Sequence, residues 1–164
     1  MKTTIMDLES KIHKEIDLVQ EIIKRQSQNS FQIKSWLIAI LTAIIVIGKD
    51  SILMNQSTKI NAIALNVFLF LPIFCFWYLD AFFLSKERLY REVYKWIIRY
   101  RRTNPELYLY DLNTFEREIG EVKEKLDLEK NKTNSLIFNP NIMTFYMIPT
   151  IFVIGILIWN LFLL

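Results

Sequence analysis

Three stretches of this chain carry no charged side chain at all, and charge crowds the sequence between them. Residues 35–48, 60–79 and 140–164 are the uncharged runs. As helices, 142–164 would extend about 34 Å and 60–79 about 30 Å at 1.5 Å per residue. The hydrocarbon layer of a bilayer is about 30 Å thick, so both are predicted to span it. The run 35–48 is only 14 residues and too short by itself. It reaches across if Phe31 to Ile33 enter the apolar layer and Lys34 turns its ammonium back to the interface. The competing reading of that run is a buried core helix or a re-entrant segment. The pattern therefore predicts transmembrane helices over 31–48, 60–84 and 140–164, with 49–59 as the loop joining the first two.

The charged segments have a period of their own. Ile5, Leu8, Ile12, Ile16, Val19 and Ile22/Ile23 recur every three or four residues, which predicts an amphipathic helix within 1–30. Glu15 interrupts one edge of its apolar seam. Leu112, Phe115, Ile119, Val122 and Leu126 repeat the spacing, with Asn113 and Glu116 placed as a capping box, so a second amphipathic helix is expected there. Neither helix is long enough to be stable alone. Their stripes are expected to bury against each other, within one subunit and between subunits. From 85 to 102 the second span continues helically into SKERLYREVYKWIIRYRR. Arg88, Arg91, Lys95, Arg99 and Arg102 lie along one side of it, and Leu89, Val93, Trp96 and Tyr100 along the other. Asn104-Pro105 marks its end, because proline disfavours helical geometry in the residue before it. Residues 107–110 read as strand-like or irregular, and 130–141 as a polar loop ending at Pro140.

Composition and charge refine this picture. The 164 residues are 52% hydrophobic, a fraction a soluble protein could also have, so the segregation of charge carries the membrane assignment. Residues 1–34 hold six Lys and Arg, 49–59 two, and 85–139 twelve. The positive-inside rule then expects the N-terminus and 85–139 in the cytoplasm, with 49–59 and the C-terminus outside. Trp36, Trp77, Tyr78 and Trp159 fall near the expected interfaces, as an aromatic belt requires. The fold class expected is all-α, an integral membrane protein with three transmembrane helices plus amphipathic cytoplasmic helices, in a homo-oligomeric bundle.

Candidate chemistry is sparse. His13 sits on the polar side of the first helix, and Cys75 lies in the second span with no base near it. Three glycines make no phosphate-cradling loop, and no His/Cys spacing suggests zinc. An enzyme is not expected, nor a cofactor or metal. Asp80 is the exception: an ionisable group inside an apolar run needs a partner, and Lys34 at the same depth of an antiparallel hairpin is the natural one. An interfacial aspartate in contact with water or headgroups is the alternative. Ser35, Ala39, Thr42, Ala43, Val46 and Lys49 share one face of the first span. Small, weakly polar residues in register permit either close helix packing or the lining of a narrow aqueous path. The basic stripe from Arg88 to Arg102 suits anionic lipid headgroups or an anionic ligand such as a nucleotide or nucleic acid.

Two motifs resemble a known pattern. Asn29-Ser-Phe31 with Lys34-Ser-Trp36, followed by Phe76-Trp-Tyr-Leu-Asp-Ala81-Phe-Phe-Leu84 and Glu87-Arg-Leu-Tyr-Arg91, resembles a widespread family of small bacterial membrane proteins. That family carries N-S-F-x-x-K-G/S-W and F-W-x-L-D-x-Y/F-F-L-x-x-E-R-L-F/Y-R before a last span. The likeness covers roughly 20–160. This chain has Ser35 where Gly is common, and an acidic insert around 113–130 that the family pattern lacks. The resemblance implies that Lys34, Trp36, Asp80, Glu87, Arg88 and Arg91 occupy characteristic positions. It further implies a membrane partner of phage-defence loci, controlled by a cytoplasmic sensor or signalling enzyme. The function expected is a homo-oligomeric membrane effector, a gated ion-conducting pore that depolarises the cell. The alternative is a non-conducting anchor or scaffold that recruits a cytoplasmic enzyme.

Overall fold

The computed structural model describes residues 2–53, 59–101, 103, 107–114, 117–119, 122–124 and 133–163. Helix α1 runs Lys2–Leu53 and helix α2 Lys59–Tyr100. A short strand pair follows, β1 Arg117–Ile119 and β2 Val122–Glu124, then the single turn α3 Thr133–Leu136 and the helix α4 Pro140–Leu163. Three of these helices are long and apolar enough to cross a membrane, within Asp7–Gly48, Asn66–Tyr100 and Pro140–Trp159. At 1.5 Å per residue α1 is about 78 Å long and α2 about 63 Å, roughly twice the hydrocarbon thickness.

The expected helix 1–30 and span 31–48 are thus one continuous rod, since no proline or internal glycine interrupts 2–47. The expected loop 49–59 is shorter than its composition suggests. Helix α1 persists to Leu53 and α2 begins at Lys59, and 54–58 lie outside the described residues. Pro72 sits inside α2 and Pro149 inside α4.

Helix α2 is the centre of the molecule. It packs along α1 on one side and against α3 and α4 on the other. Two apolar cores result, one for each half of the hairpin. In the membrane half, Leu37 of α1, Leu69, Ile73 and Ala81 of α2, and Ile142, Tyr146 and Val153 of α4 are all buried. Beyond it, Val19 of α1 meets Val93, Trp96 and Ile97 of α2, with Ile16, Ile23, Tyr94, Tyr100, Tyr108 and Leu112 around them. Together the two long helices form an antiparallel stalk that continues out of the membrane unit.

The second expected amphipathic helix does not form. Arg117–Ile119 and Val122–Glu124 pair as an antiparallel ladder, with Arg117 opposite Glu124 and Glu118 opposite Lys123. The capping position Glu116 lies outside the described residues, and Asn113 instead accepts no helical role: its N–H donates to the Asp111 carboxylate at 2.9 Å. The apolar stripe of α1 therefore finds its partner in α2, with Leu112 of the expected second stripe beside that core, while Phe115 and Leu126 lie outside the described residues. The polar loop expected over 130–141 contains α3, whose Leu136 is buried.

Helix α4 and the turn before it are tied to α2 by ring stacking and two hydrogen bonds, one from each. Trp77 and Tyr146 stack with centroids 5.8 Å apart, and Phe74 stacks with Trp77 at 6.5 Å. The Trp77 indole N–H donates to the Ile137 carbonyl at 2.9 Å, and the Tyr146 hydroxyl to the Phe76 carbonyl at 3.1 Å. Tyr146→Phe is expected to keep the stack and lose about 1 kcal/mol from the single bond. Thermal unfolding in detergent checks this; an unchanged midpoint would mean the hydroxyl contributes nothing to docking.

Candidate functional site: ion-paired joints in a membrane hairpin

The boundary between the two halves of the hairpin is marked by charge. Lys34 of α1 and Asp80 of α2 form an ion pair at 2.6 Å, with side chains 27% and 0% exposed. Ser30, one helical turn from Lys34, completes a triangle: its hydroxyl donates to the Asp80 carboxylate and accepts from the Lys34 ammonium at 2.8 Å. The ammonium also lies 5.8 Å from the centre of the Phe145 ring on α4. The pairing that the sequence predicts is present, and the interfacial, water-exposed alternative for Asp80 is not what forms. Ser30 is the serine of the Asn29-Ser-Phe31 motif, and its spacing of four from Lys34 places it on the same side of α1.

The far end of the stalk holds a second and more enclosed pair. Glu15 and Arg101 have side chains 0% and 2% exposed. The guanidinium donates through Nε to Glu15 Oε2 at 2.7 Å and through Nη2 to Glu15 Oε1. It also donates to the carbonyls of Leu107 and Tyr108, and lies 5.5 Å from the Trp96 ring. The Tyr110 N–H donates to Glu15 Oε1 at 3.2 Å. Tyr108 and Tyr110 adopt left-handed backbone, with φ of 57° and 59°, which curls 107–110 back over the end of the hairpin. Non-glycine residues enter that region only when surrounding structure compels them. Here the carbonyls and N–H that the curl presents are the ones Arg101 and Glu15 bind.

This joint is the feature that sequence reasoning missed. Glu15 stood out only as a blemish in an apolar seam. The signal was available: Glu15 lies four residues before Val19, and Arg101 four after Ile97, so each extends a buried stripe by one turn. A charge at a seam position requires a counter-charge at the facing position.

The other predicted residues are placed as follows. Leu37, Leu41, Ile44 and Ile45 turn α1 inward, leaving Ser35, Ala39, Thr42, Ala43 and Val46 exposed on the opposite side. The side chain of Lys49 lies outside the described residues. The Ser35 and Thr42 hydroxyls donate back to the carbonyls of Phe31 and Ile38, at 3.2 and 2.8 Å. Their donors are thus satisfied within α1, and the face is less polar than its composition suggests. Along α2, Arg91, Lys95 and Arg99 are exposed and Arg88 is partly covered, while Arg102 lies outside the described residues. The stripe is not a field of bare cations. Arg91 is paired with Glu87 at 2.7 Å and Lys95 with Glu92 at 2.7 Å.

Chemically, this arrangement holds paired charges in place at two depths of the hairpin. Among the described residues, no cluster of His, Cys, Asp and Glu is disposed to hold a metal ion. The chain is a membrane hairpin with a third helix on its flank, and no known protein family, curated protein or solved structure matches it.

Proposed function

We propose that the protein is a homo-oligomeric membrane effector whose copies enclose a gated ion-conducting path, controlled through the stalk. In a single copy the three membrane helices close on a core filled by their own apolar side chains, so a path needs several copies. The observation that carries the reading is the exposed face of α1. Its Ser35, Ala39, Thr42, Ala43 and Val46 point away from the intramolecular core. Small side chains let helices of neighbouring copies approach closely or line a narrow path, whereas lipid contact alone would be served by larger apolar residues. The Lys34–Asp80 joint then holds the resting arrangement, and the stalk conveys the state of a cytoplasmic signal or partner.

Orientation in this reading follows the Lys and Arg counts, six and twelve on the stalk side against two in 49–59, with the stalk in the cytoplasm of a bacterial inner membrane. The motif resemblance supports depolarisation during phage infection as the setting. Cysteine labelling at Asn55 and Glu121, in a Cys75→Ala background, tests the orientation: external reagent should reach the first and not the second.

The decisive experiment is reconstitution of purified protein in liposomes with a membrane-potential dye. Ala39→Trp and Ala43→Trp are expected to lower the oligomer order in mild detergent and to abolish the dye response together. A dye response that persists with unchanged mass in both variants would sink the assignment of this face. A second reading, a non-conducting anchor that recruits a cytoplasmic enzyme, is favoured by the length of the stalk, which carries α2 about 30 Å beyond Asp80. It predicts no dye response in the wild-type protein at any density.

A further inference from the structure

Between the two joints, the stalk opens on one side into a groove of about 580 Å³. Its α1 wall is a single helical face, Gln20, Lys24, Ser27 and Gln28, and its α2 wall is Arg91 and Tyr94, with Ile23 among its lining residues. The geometry points to this groove as a binding site for a phosphate-bearing anion carried on a larger body, clamped between Lys24 of α1 and Arg91 of α2. The inference deepens the proposed control through the stalk by naming the chemistry of the signal, and it holds whether or not the membrane unit conducts.

Charge is the first argument. Lys24 is exposed and makes no ion pair with the described residues. Arg91 gives Nε and Nη2 to Glu87 Oε1, at 2.9 and 2.7 Å, which leaves Nη1 for another acceptor and fixes the guanidinium in place. A guanidinium held this way is a pre-oriented fork for a phosphate, and an ammonium opposite supplies a mobile point charge. The neutral lining is the second argument. Ser27 and the two glutamines offer donors that carboxylates would not, and none of the seven lining residues is acidic. Tyr94 and Ile23 add an aromatic and an apolar surface, so the site accommodates more than an inorganic ion. The volume agrees, since small-molecule sites run about 300–1,000 Å³.

Depth favours a soluble ligand over a lipid headgroup. Lys24 is ten residues from Lys34 and Arg91 eleven from Asp80, so the groove lies about 15 Å beyond the ion pair along the stalk. Headgroups add only about 6 Å on each side of the hydrocarbon. A ligand seated here touches both long helices, so its binding free energy would act directly on how α1 and α2 sit against each other.

The test uses the full-length protein in phosphatidylcholine nanodiscs, titrated calorimetrically with AMP as the probe phosphomonoester. Saturable binding is expected, weakened about tenfold by Lys24→Gln and by Arg91→Gln, and unchanged by Lys14→Gln, which is exposed elsewhere on α1. A parallel arm uses nanodiscs containing phosphatidylglycerol, read by the phosphorus resonance of the lipid. If AMP fails to bind but that resonance shifts in a manner lost in both variants, the same site takes a headgroup phosphate. No binding in either arm, or binding indifferent to both substitutions, would overturn the proposal. All three side chains are exposed, so the variants should keep the wild-type circular dichroism. A null dye response in liposomes alongside intact AMP binding would reject the conducting reading and leave the groove standing.

Discussion

Arg101→Ala is expected to cost about 3–5 kcal/mol and to open the outer end of the stalk. The substitution strands the Glu15 carboxylate, 0% exposed, with the Tyr110 N–H as its remaining partner. It also frees the Leu107 and Tyr108 carbonyls that Arg101 holds, so the left-handed curl of 107–110 loses what compels it. Glu15→Ala should cost a similar amount, because an unneutralised guanidinium is then left beside Trp96. The pair Glu15→Leu with Arg101→Met is expected to recover most of the loss, since two apolar side chains of similar volume need no solvation. Limited proteolysis near 107–110 and chemical unfolding in detergent measure it. Single-variant losses that simply add in the double variant would show that the two residues do not interact.

Lys34→Met is expected to be more damaging than Asp80→Ala, by about 1–2 kcal/mol, although each breaks the same ion pair. The reason is access to water. Asp80 is 0% exposed and cannot leave its site, whereas Lys34 is 27% exposed and carries a flexible stem. Without Lys34, the carboxylate keeps the Ser30 hydroxyl but loses the counter-charge it has among the described residues. Without Asp80, the ammonium can extend toward the interface at modest cost. The asymmetry appears as a larger drop in unfolding midpoint for Lys34→Met. In the liposome assay both variants should raise the resting dye response, because the joint holds the closed arrangement in the proposed function. Exchanging the two charges, Lys34→Asp with Asp80→Lys, is expected to restore part of the stability. Equal midpoints for the two single variants would mean that Asp80 reaches water in a way its burial does not suggest.

Much of this architecture follows from local sequence. The uncharged runs 35–48, 60–79 and 140–164 dictate three membrane helices, because backbone groups in hydrocarbon must bond within their own segment. Depth in such a layer is read from residue count, so the sequence alone matches Lys34 with Asp80. The apolar side of 85–102 was equally legible, and Val93 and Trp96 lie in the stalk core. Tertiary structure decided what periodicity cannot: which stripe meets which. Leu112, Ile119 and Val122 have helical spacing, yet 117–119 and 122–124 pair as strands. Spacing of three and four is a necessary mark of an amphipathic helix and not a sufficient one, and the partner that would have stabilised that helix was already taken. Helix α2 continues unbroken to Tyr100 and covers the α1 seam itself. The same choice turned Glu15 from a flaw into half of a buried joint. A seam charge is tolerable only where the facing element presents its opposite, and that is settled by the register of the two helices, which brings together residues 86 apart in the chain.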